Sequence, residues 1–175
     1  LQSLMTDLLT EAMEGGLARD ATLAQSDAQR KNLWAIREGI PEAQGFEGGS
    51  IKHDVSVPVS KVPDLLTRGM AAARDLIPGI RPCPFGHVGD GNIHFNFTQP
   101  VDMEKADYLT HWENLNRVIH DIVADLGGSI SAEHGIGQLK RDELVRYASA
   151  EKLKLLRAVK AAIDPDNRLN PGKVV

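Results

Sequence analysis

The spacing of apolar residues along the chain predicts alternating helices and strands. From Leu1 to about Glu14 the apolar side chains follow one helical stripe. From Ile51 to Val59 apolar and polar positions alternate, as they do in a half-buried strand. The same criteria predict further helices at Ser26 to Pro41, Ser60 to Ile77, Met103 to Leu126, Gly137 to Tyr147 and Ala150 to Ile163, with further strands at Asp20 to Gln25, Ile80 to Phe97 (a hairpin) and Ser129 to Ser131.

This order of elements indicates an α+β chain with helices on one face of a mostly antiparallel, ferredoxin-like sheet. The last two helices and an extended tail from Asn167 to Val175 follow the sheet. A ferredoxin-like unit begins with a strand, whereas this chain opens with a helix. We therefore expect the first strand upstream of Leu1 and expect the sequence to be a fragment of a longer protein.

The stretch His-Val-Gly-Asp-Gly-Asn-Ile-His at residues 87–94 predicts two metal ligands held by one hairpin. Asp-Gly pairs favour tight turns because glycine accepts a positive φ angle. If Gly89 to Asn92 forms the loop, Val88 lies opposite Ile93 and His87 lies opposite His94. Directly opposed residues have Cβ atoms about 4.5–5.5 Å apart and share one face. Two imidazoles so placed could bind one ion.

A second cluster, Glu133 beside His134, supplies a carboxylate for the same site. Two histidines and one carboxylate leave coordination positions open, as a catalytic metal requires. A closed structural site would need a fourth protein ligand, and Cys83 is the only cysteine. Adjacent strand residues point to opposite faces, so the strand must end here, as Gly135 and Gly137 suggest. We assign Glu133 as the third ligand and His134 as a non-ligating base.

The other polar candidates in the sequence have ordinary explanations. His53, His111 and His120 are interpreted as surface or core residues, since the last two fall in a helical stretch without an acidic partner at fixed spacing. The glycines from Gly86 to Gly91 lack the Gly-Lys-Ser/Thr ending of a phosphate-binding loop, and no helix follows directly. Asn96 lies two positions after His94 and shares its polar face.

Composition narrows the class of protein further. The chain has 175 residues, the size of one domain, and a net charge of −4 without a basic run, which argues against a nucleic-acid partner. One cysteine excludes an internal disulfide and is consistent with a reducing, cytoplasmic location. No apolar run approaches the ~18 residues of a membrane span.

Several motifs in order carry a resemblance to a known family. They are Arg37 to Ala43, Ile51 to Pro58, Gly86 to His94, Glu133 to Gly137 and Asp164 to Lys173. Together these residues resemble the C-terminal part of FAD-linked oxidases of the vanillyl-alcohol oxidase type. The branch that they resemble includes the flavoprotein component of glycolate oxidase, D-lactate dehydrogenase and D-2-hydroxyglutarate dehydrogenase.

The resemblance implies a substrate-binding cap that works with an N-terminal FAD domain and a divalent metal, zinc or manganese. By this resemblance the metal ligands are His87, His94 and Glu133, the catalytic base is His134, and the substrate-binding residues are Arg37, Lys52 and Asn96. Asn170 would approach the flavin. One departure is Pro41, which stands where some members have a substrate-binding threonine. A second substrate carboxylate would therefore be recognised differently.

The implied reaction is the oxidation of a D-2-hydroxy acid (D-lactate, glycolate or D-2-hydroxyglutarate type) to the 2-oxo acid by hydride transfer to FAD. We expect this segment alone to lack tightly bound FAD and turnover. Two other classes stay open: a flavin-independent metal hydrolase or isomerase, and a non-catalytic ligand-binding module. The electron acceptor is unknown, and pairing into a homodimer is a further expectation.

Overall fold

A computed structural model describes residues 1–87 and 89–175 of the chain. It divides into two compact units, Leu1–Ala43 and Gln44–Val175, which are described separately. The predicted pairing of Val88 with Ile93 lies outside the described residues. None of the helices in these two ranges is both long and apolar enough to cross a membrane.

The first unit is helical. It contains α1 (Gln2–Glu14), α2 (Asp27–Glu38) and the start of α3 (Ile40–Gly45). The Ser26 hydroxyl accepts the backbone N–H of Gln29 and so caps α2. The strand predicted at Asp20 to Gln25 is wrong, because this segment is irregular and pairs with no described strand. Its side-chain pattern alone could not supply a partner for its backbone hydrogen bonds.

The second unit is an α+β fold, which confirms the predicted class. Its elements are β1 (Ser50–Ser56), α4 (Val62–Leu76), β2 (Arg81–Gly86), β3 (Asn92–Thr98), α5 (Lys105–Leu109), α6 (Trp112–Asp125), α7 (Arg141–Tyr147) and α8 (Ala150–Ile163). The strands form an antiparallel sheet in the order β1-β3-β2. An isolated bridge joins Ser129 to Ser56 of β1, where a ferredoxin-like sheet would have its fourth strand.

Among the described residues the first strand of the sheet is β1, and a strand upstream of Leu1 stays a prediction. The opening helix, from which that expectation came, belongs to the other unit. The single helix predicted from Met103 to Leu126 is instead divided into α5 and α6. The helix predicted to start at Ser60 begins at Val62 after a 3-10 turn.

The sheet has one apolar and one polar face because successive strand residues point to opposite sides. Ile51 and Val55 of β1 and Phe95 and Phe97 of β3 are fully buried on the apolar face. They form one core cluster with residues of α4 and α6, among them Leu65, Leu115 and Ile119. The polar face of the same strands carries Lys52, Asp54, His94 and Asn96. Packing of the apolar face therefore fixes the position of the polar one.

Gly69 of α4 lies closely against this core. A Cβ atom there would approach Phe95 Cε1 to 2.3 Å. We expect Gly69→Ala to destabilise the protein by about 1–3 kcal/mol through overpacking, despite the gain in helix propensity. Gly45→Ala is the control, because its Cβ would meet no heavy atom within 4 Å. Denaturant unfolding measures both variants, and a Gly69→Ala variant as stable as the parent would contradict the close packing.

Buried His53 makes stability depend on pH. Burial lowers the pKa of His53 to about 3, and its Nδ1 lies 2.9 Å from the carbonyl of Phe95. In the unfolded chain His53 binds a proton near pH 6.5. The stability that comes from burying neutral His53 is therefore fully present above that pH. It is lost toward pH 3 at about 1.4 kcal/mol per unit. We expect His53→Asn to flatten the fall in unfolding free energy between pH 7 and 5. Equal slopes in the two proteins would contradict this.

Candidate metal centre

The hairpin places His87 and His94 on one face, but in a different register from the predicted one. Phe85, rather than His87, lies opposite His94, and the N–H of His87 donates to the carbonyl of Asn92. The predicted direct pairing of the two histidines is therefore wrong by two residues. Because side chains alternate with a period of two, this shift leaves both histidines on the polar face. Their ring centroids lie 6.2 Å apart.

The register differs because Asn92 belongs to β3 and not to the loop. Asn92 pairs with Ser56 of β1, and its side-chain amide donates to Asp54 Oδ1 at 3.2 Å. The loop ends instead at Gly91, whose φ of 75° is in the left-handed region. Hairpin reasoning used only local turn residues and could not include the pairing with β1.

Glu133 completes a three-residue cluster with the two histidines. One ligand atom from each of His87, His94 and Glu133 lies within 4.8 Å of the others. The Glu133 carboxylate lies 3.4 Å from His94 Nε2 and 3.9 Å from His87 Nε2. Two imidazole nitrogens and a carboxylate suit zinc or manganese. The Glu133 side chain is 49% exposed, so a small ligand can reach the cluster.

The segment that carries Glu133 is attached to β1 by backbone and side-chain hydrogen bonds. Ser129 exchanges two backbone hydrogen bonds with Ser56, and the N–H of Ala132 donates to the carbonyl of Asp54. The Asp54 carboxylate then accepts the N–H groups of Glu133 at 2.7 Å and His134 at 2.8 Å. The chain is irregular here, in agreement with the inference that no strand continues through Glu133.

Asp54 is the member of this site that sequence reasoning missed. Burial alone raises the pKa of Asp54, but hydrogen bonds from His134, Glu133 and Asn92 outweigh it and hold that pKa below its usual value. The carboxylate is therefore ionised while its side chain is only 8% exposed. The alternating pattern of β1 was the one available signal, since it placed Asp54 on the same polar face as Lys52.

Both histidines of the cluster also face a carboxylate on their other nitrogen. His87 Nδ1 lies 3.2 Å from Asp90 Oδ2, and His94 Nδ1 lies 3.8 Å from Asp54 Oδ1. The second distance is longer than a hydrogen bond. Phe85 packs against the His94 ring with centroids 5.1 Å apart. The rings are thus oriented by groups on the sheet and in the loop.

His134 lies beside the cluster but is not a member of it. Its N–H is held by Asp54 and its carbonyl accepts the Ser131 hydroxyl, while the residue itself is exposed. It lines a cleft of about 380 Å³ together with Tyr147, Lys152 and other residues of the C-terminal helices. This placement allows the separate role in proton transfer that was predicted, which remains a prediction.

Two of the three predicted substrate-binding residues lie on the polar face. Lys52 and Asn96 are directly opposite each other on β1 and β3, and the Lys52 residue is exposed. Asn96 is buried, and its Nδ2 donates to Gln44 Oε1 at 2.8 Å. Gln44 also donates to the Thr98 hydroxyl and was not identified from sequence. The amide of Asn96 thus has a structural partner as well as a position near the site.

The remaining predicted residues lie elsewhere in the chain. Arg37 is in the last turn of α2 and Pro41 is in α3, both in the first unit. Asn170 adopts a left-handed φ of 49°, and its Oδ1 accepts Lys173 Nζ at 2.9 Å. Nothing in this geometry tests the flavin role predicted for Asn170.

Comparison with known proteins defines the class to which this fold and site belong. Residues 1–174 match the family of FAD linked oxidases, C-terminal domain. The chain therefore belongs to this family, which confirms the resemblance seen in its motifs.

Curated relatives give a more specific similarity. The chain is 40% identical over 162 residues to a D-2-hydroxyglutarate dehydrogenase of Xanthomonas citri pv. viticola, a match of 93% of this chain and 34% of that protein. It is 38% identical to the Stutzerimonas stutzeri D-2-hydroxyglutarate dehydrogenase, covering 93% of the chain and 35% of the relative. The mitochondrial D-2-hydroxyglutarate dehydrogenase of Danio rerio is 36% identical, and the match covers 95% of this chain and 30% of that protein. The chain thus spans about a third of these relatives.

Metal content tests the three-residue cluster. We expect about one zinc or manganese ion per chain, and its loss in His94→Ala and Glu133→Ala, because two remaining ligands bind weakly. Elemental analysis of the purified protein measures this. His111→Ala is the matched control, since His111 is outside the cluster. A parent protein that stays metal-free after addition of divalent ions would contradict the assignment.

Proposed function

We propose that the full-length protein containing this chain is an FAD-dependent dehydrogenase that oxidises a D-2-hydroxy acid to the 2-oxo acid. In this proposal the chain provides the substrate- and metal-binding part. The cluster of His87, His94 and Glu133 on the same polar face as Lys52 is the observation that supports it most. Family membership and relatives named D-2-hydroxyglutarate dehydrogenases support the same reaction and favour D-2-hydroxyglutarate among the candidate substrates.

The residues of the cluster fit a divalent metal by their chemistry. Both histidines direct Nε2 toward the Glu133 carboxylate, which is a suitable donor set for zinc or manganese. A cation bound there would supply Lewis-acid chemistry toward the hydroxyl and carboxylate oxygens of the substrate. The partial exposure of all three side chains leaves space for those oxygens.

His134 is the proposed general base. An imidazole nitrogen of this exposed side chain can take the proton of the substrate hydroxyl. His134 follows Glu133 directly in the chain, and Asp54 accepts the backbone N–H groups of both residues. FAD, when bound, supplies the acceptor for the hydride that leaves the α-carbon.

Positive charge and amide groups would hold the substrate carboxylate. Lys52 provides a point charge on the polar face of the second unit. Arg37, in the first unit, keeps its predicted role, since a guanidinium can bind a carboxylate through two parallel hydrogen bonds. Asn96 donates one amide hydrogen to Gln44, and its second amide hydrogen is the proposed donor to the substrate. Pro41 has no side-chain donor, so a second carboxylate would need a different group.

The flavin is proposed to be bound mainly by a domain outside this chain. The chain spans about a third of its curated relatives, and the described residues form helices and one small sheet. Asn170 is the proposed flavin neighbour within the chain. A homodimer and a cytoplasmic location remain predictions, and some relatives are named as mitochondrial.

Loss of the base tests the proposed reaction. In the full-length protein we expect His134→Gln to lower kcat for D-2-hydroxyglutarate by roughly 10²–10⁴-fold, the usual contribution of acid–base catalysis. Flavin absorbance and metal content should stay unchanged. His111→Gln is the control and should retain activity.

Three outcomes would count against the proposal. Full activity of His134→Gln would remove the role of His134 as the base. Metal-dependent hydrolysis or isomerisation by protein without flavin would favour the alternative enzyme class, and absence of any turnover with flavin and metal bound would favour a binding module.

A further inference from the structure

We infer that Asp54 is the positioning residue of this metal centre, an inference that rests on the proposed function. Its buried carboxylate joins the strand that carries His94 to the segment that carries Glu133 and His134. It also favours the form of the His94 ring whose proton is on Nδ1, which leaves Nε2 free to bind a metal ion.

One oxygen of Asp54 fixes the segment with Glu133. Oδ2 accepts both the Glu133 and the His134 N–H groups, at 2.7 and 2.8 Å. These residues are separated from Asp54 by 79 and 80 positions in the sequence. Two charge-assisted hydrogen bonds to one oxygen therefore determine where Glu133 and His134 meet the sheet.

The other oxygen of Asp54 faces His94. Asp54 and His94 are directly opposite in the register of β1 and β3. Oδ1 accepts the side-chain amide of Asn92 and lies 3.8 Å from His94 Nδ1, while His94 Nε2 lies 3.4 Å from Glu133. A movement of about 1 Å would convert the longer approach into a hydrogen bond of ordinary length.

The chemistry of a carboxylate decides the form of the ring. Neutral imidazole carries one proton, and an ionised carboxylate can only accept it. Asp54 therefore favours the proton on Nδ1, and the lone pair is left on Nε2 beside Glu133. Carboxylates behind metal-binding histidines commonly act in this way, and their loss typically weakens metal binding by about 10–100-fold.

Asp90 gives an internal comparison for Asp54. It faces Nδ1 of His87 at 3.2 Å, but its side chain is 64% exposed, whereas that of Asp54 is 8% exposed. Water and salt weaken the interaction of a histidine with an exposed carboxylate more than with a buried one. The influence of Asp90 on metal binding should therefore be weaker than that of Asp54.

Asp54→Asn is the decisive substitution. If its amide oxygen replaces Oδ2, the two backbone N–H groups keep an acceptor, and an NH₂ group then faces His94 Nδ1. That group would donate to Nδ1 and place the ring proton on Nε2, where it blocks metal binding. The variant thus changes the ring while conserving size and the acceptor for the Glu133 and His134 N–H groups. The Asn92 amide loses its acceptor on Oδ1, a loss that Asn92→Ala controls for.

The controls separate positioning from general destabilisation. Lys140 Nζ donates to the carbonyl of Ile130 at 2.9 Å, so it holds the same segment through a different residue from Asp54. Lys140→Met should lower stability with little change in metal affinity. Asn92→Ala removes a neighbour of Asp54 but retains the carboxylate, and should behave likewise.

The experiment measures Zn²⁺ affinity of the metal-stripped full-length protein by chelator competition, and the visible spectrum of bound Co²⁺. We expect Asp54→Asn to lose about 10–100-fold in Zn²⁺ affinity and to change the Co²⁺ spectrum, with a smaller loss in Asp90→Asn. Thermal unfolding of each metal-free variant reports on the fold. If Asp54→Asn does not fold, the smaller Asp54→Ser is measured in its place and should show the same loss.

Each other result has a definite meaning. Parental affinity and spectrum in Asp54→Asn, or an equal loss of affinity in Lys140→Met, would overturn the positioning role while the metal centre remained. A parent protein that binds neither Zn²⁺ nor Co²⁺ would overturn the proposed metal centre and this inference with it.

Discussion

The antiparallel pairing of β1 with β3 is the constraint on which the rest of the second unit depends. In β3, Phe95 and Phe97 are fully buried in the core. His94 and Asn96, which precede them in turn, point to the other face of the sheet. Burial of each large apolar side chain contributes about 1.5–3 kcal/mol. Because the core fixes the backbone of β1 and β3, it also fixes the polar side chains on the opposite face of these strands.

The second requirement of the site is the attachment of a distant segment to this sheet. Glu133 lies in irregular chain, so no ladder of backbone hydrogen bonds fixes its position. The bridge at Ser129 and the carboxylate of Asp54 perform that function, with Lys140 as an additional support. Removing an ionised carboxylate from water is unfavourable unless donors compensate it, and the donors around Asp54 do so. A buried charge is thus retained where three chain segments meet.

A small three-stranded sheet thus brings the candidate site residues together. The polar face carries the candidate metal ligands at one end and Lys52 and Asn96 further along. In the proposed function this surface binds the hydroxyl and carboxylate of a small acid, and the flavin chemistry comes from outside the chain. The division is consistent with a segment that spans about a third of its curated relatives.

The sequence by itself determined most helices, the α+β class, the face on which each strand residue lies, and all three members of the candidate metal cluster. These features follow from local periodicity and side-chain chemistry, which each segment carries alone. The hairpin register was wrong by two residues because it depends on pairing of Asn92 with β1. The role of Asp54 depends on residues about eighty positions away. Only the tertiary structure could decide both, because contacts between distant segments leave no fixed spacing in the sequence.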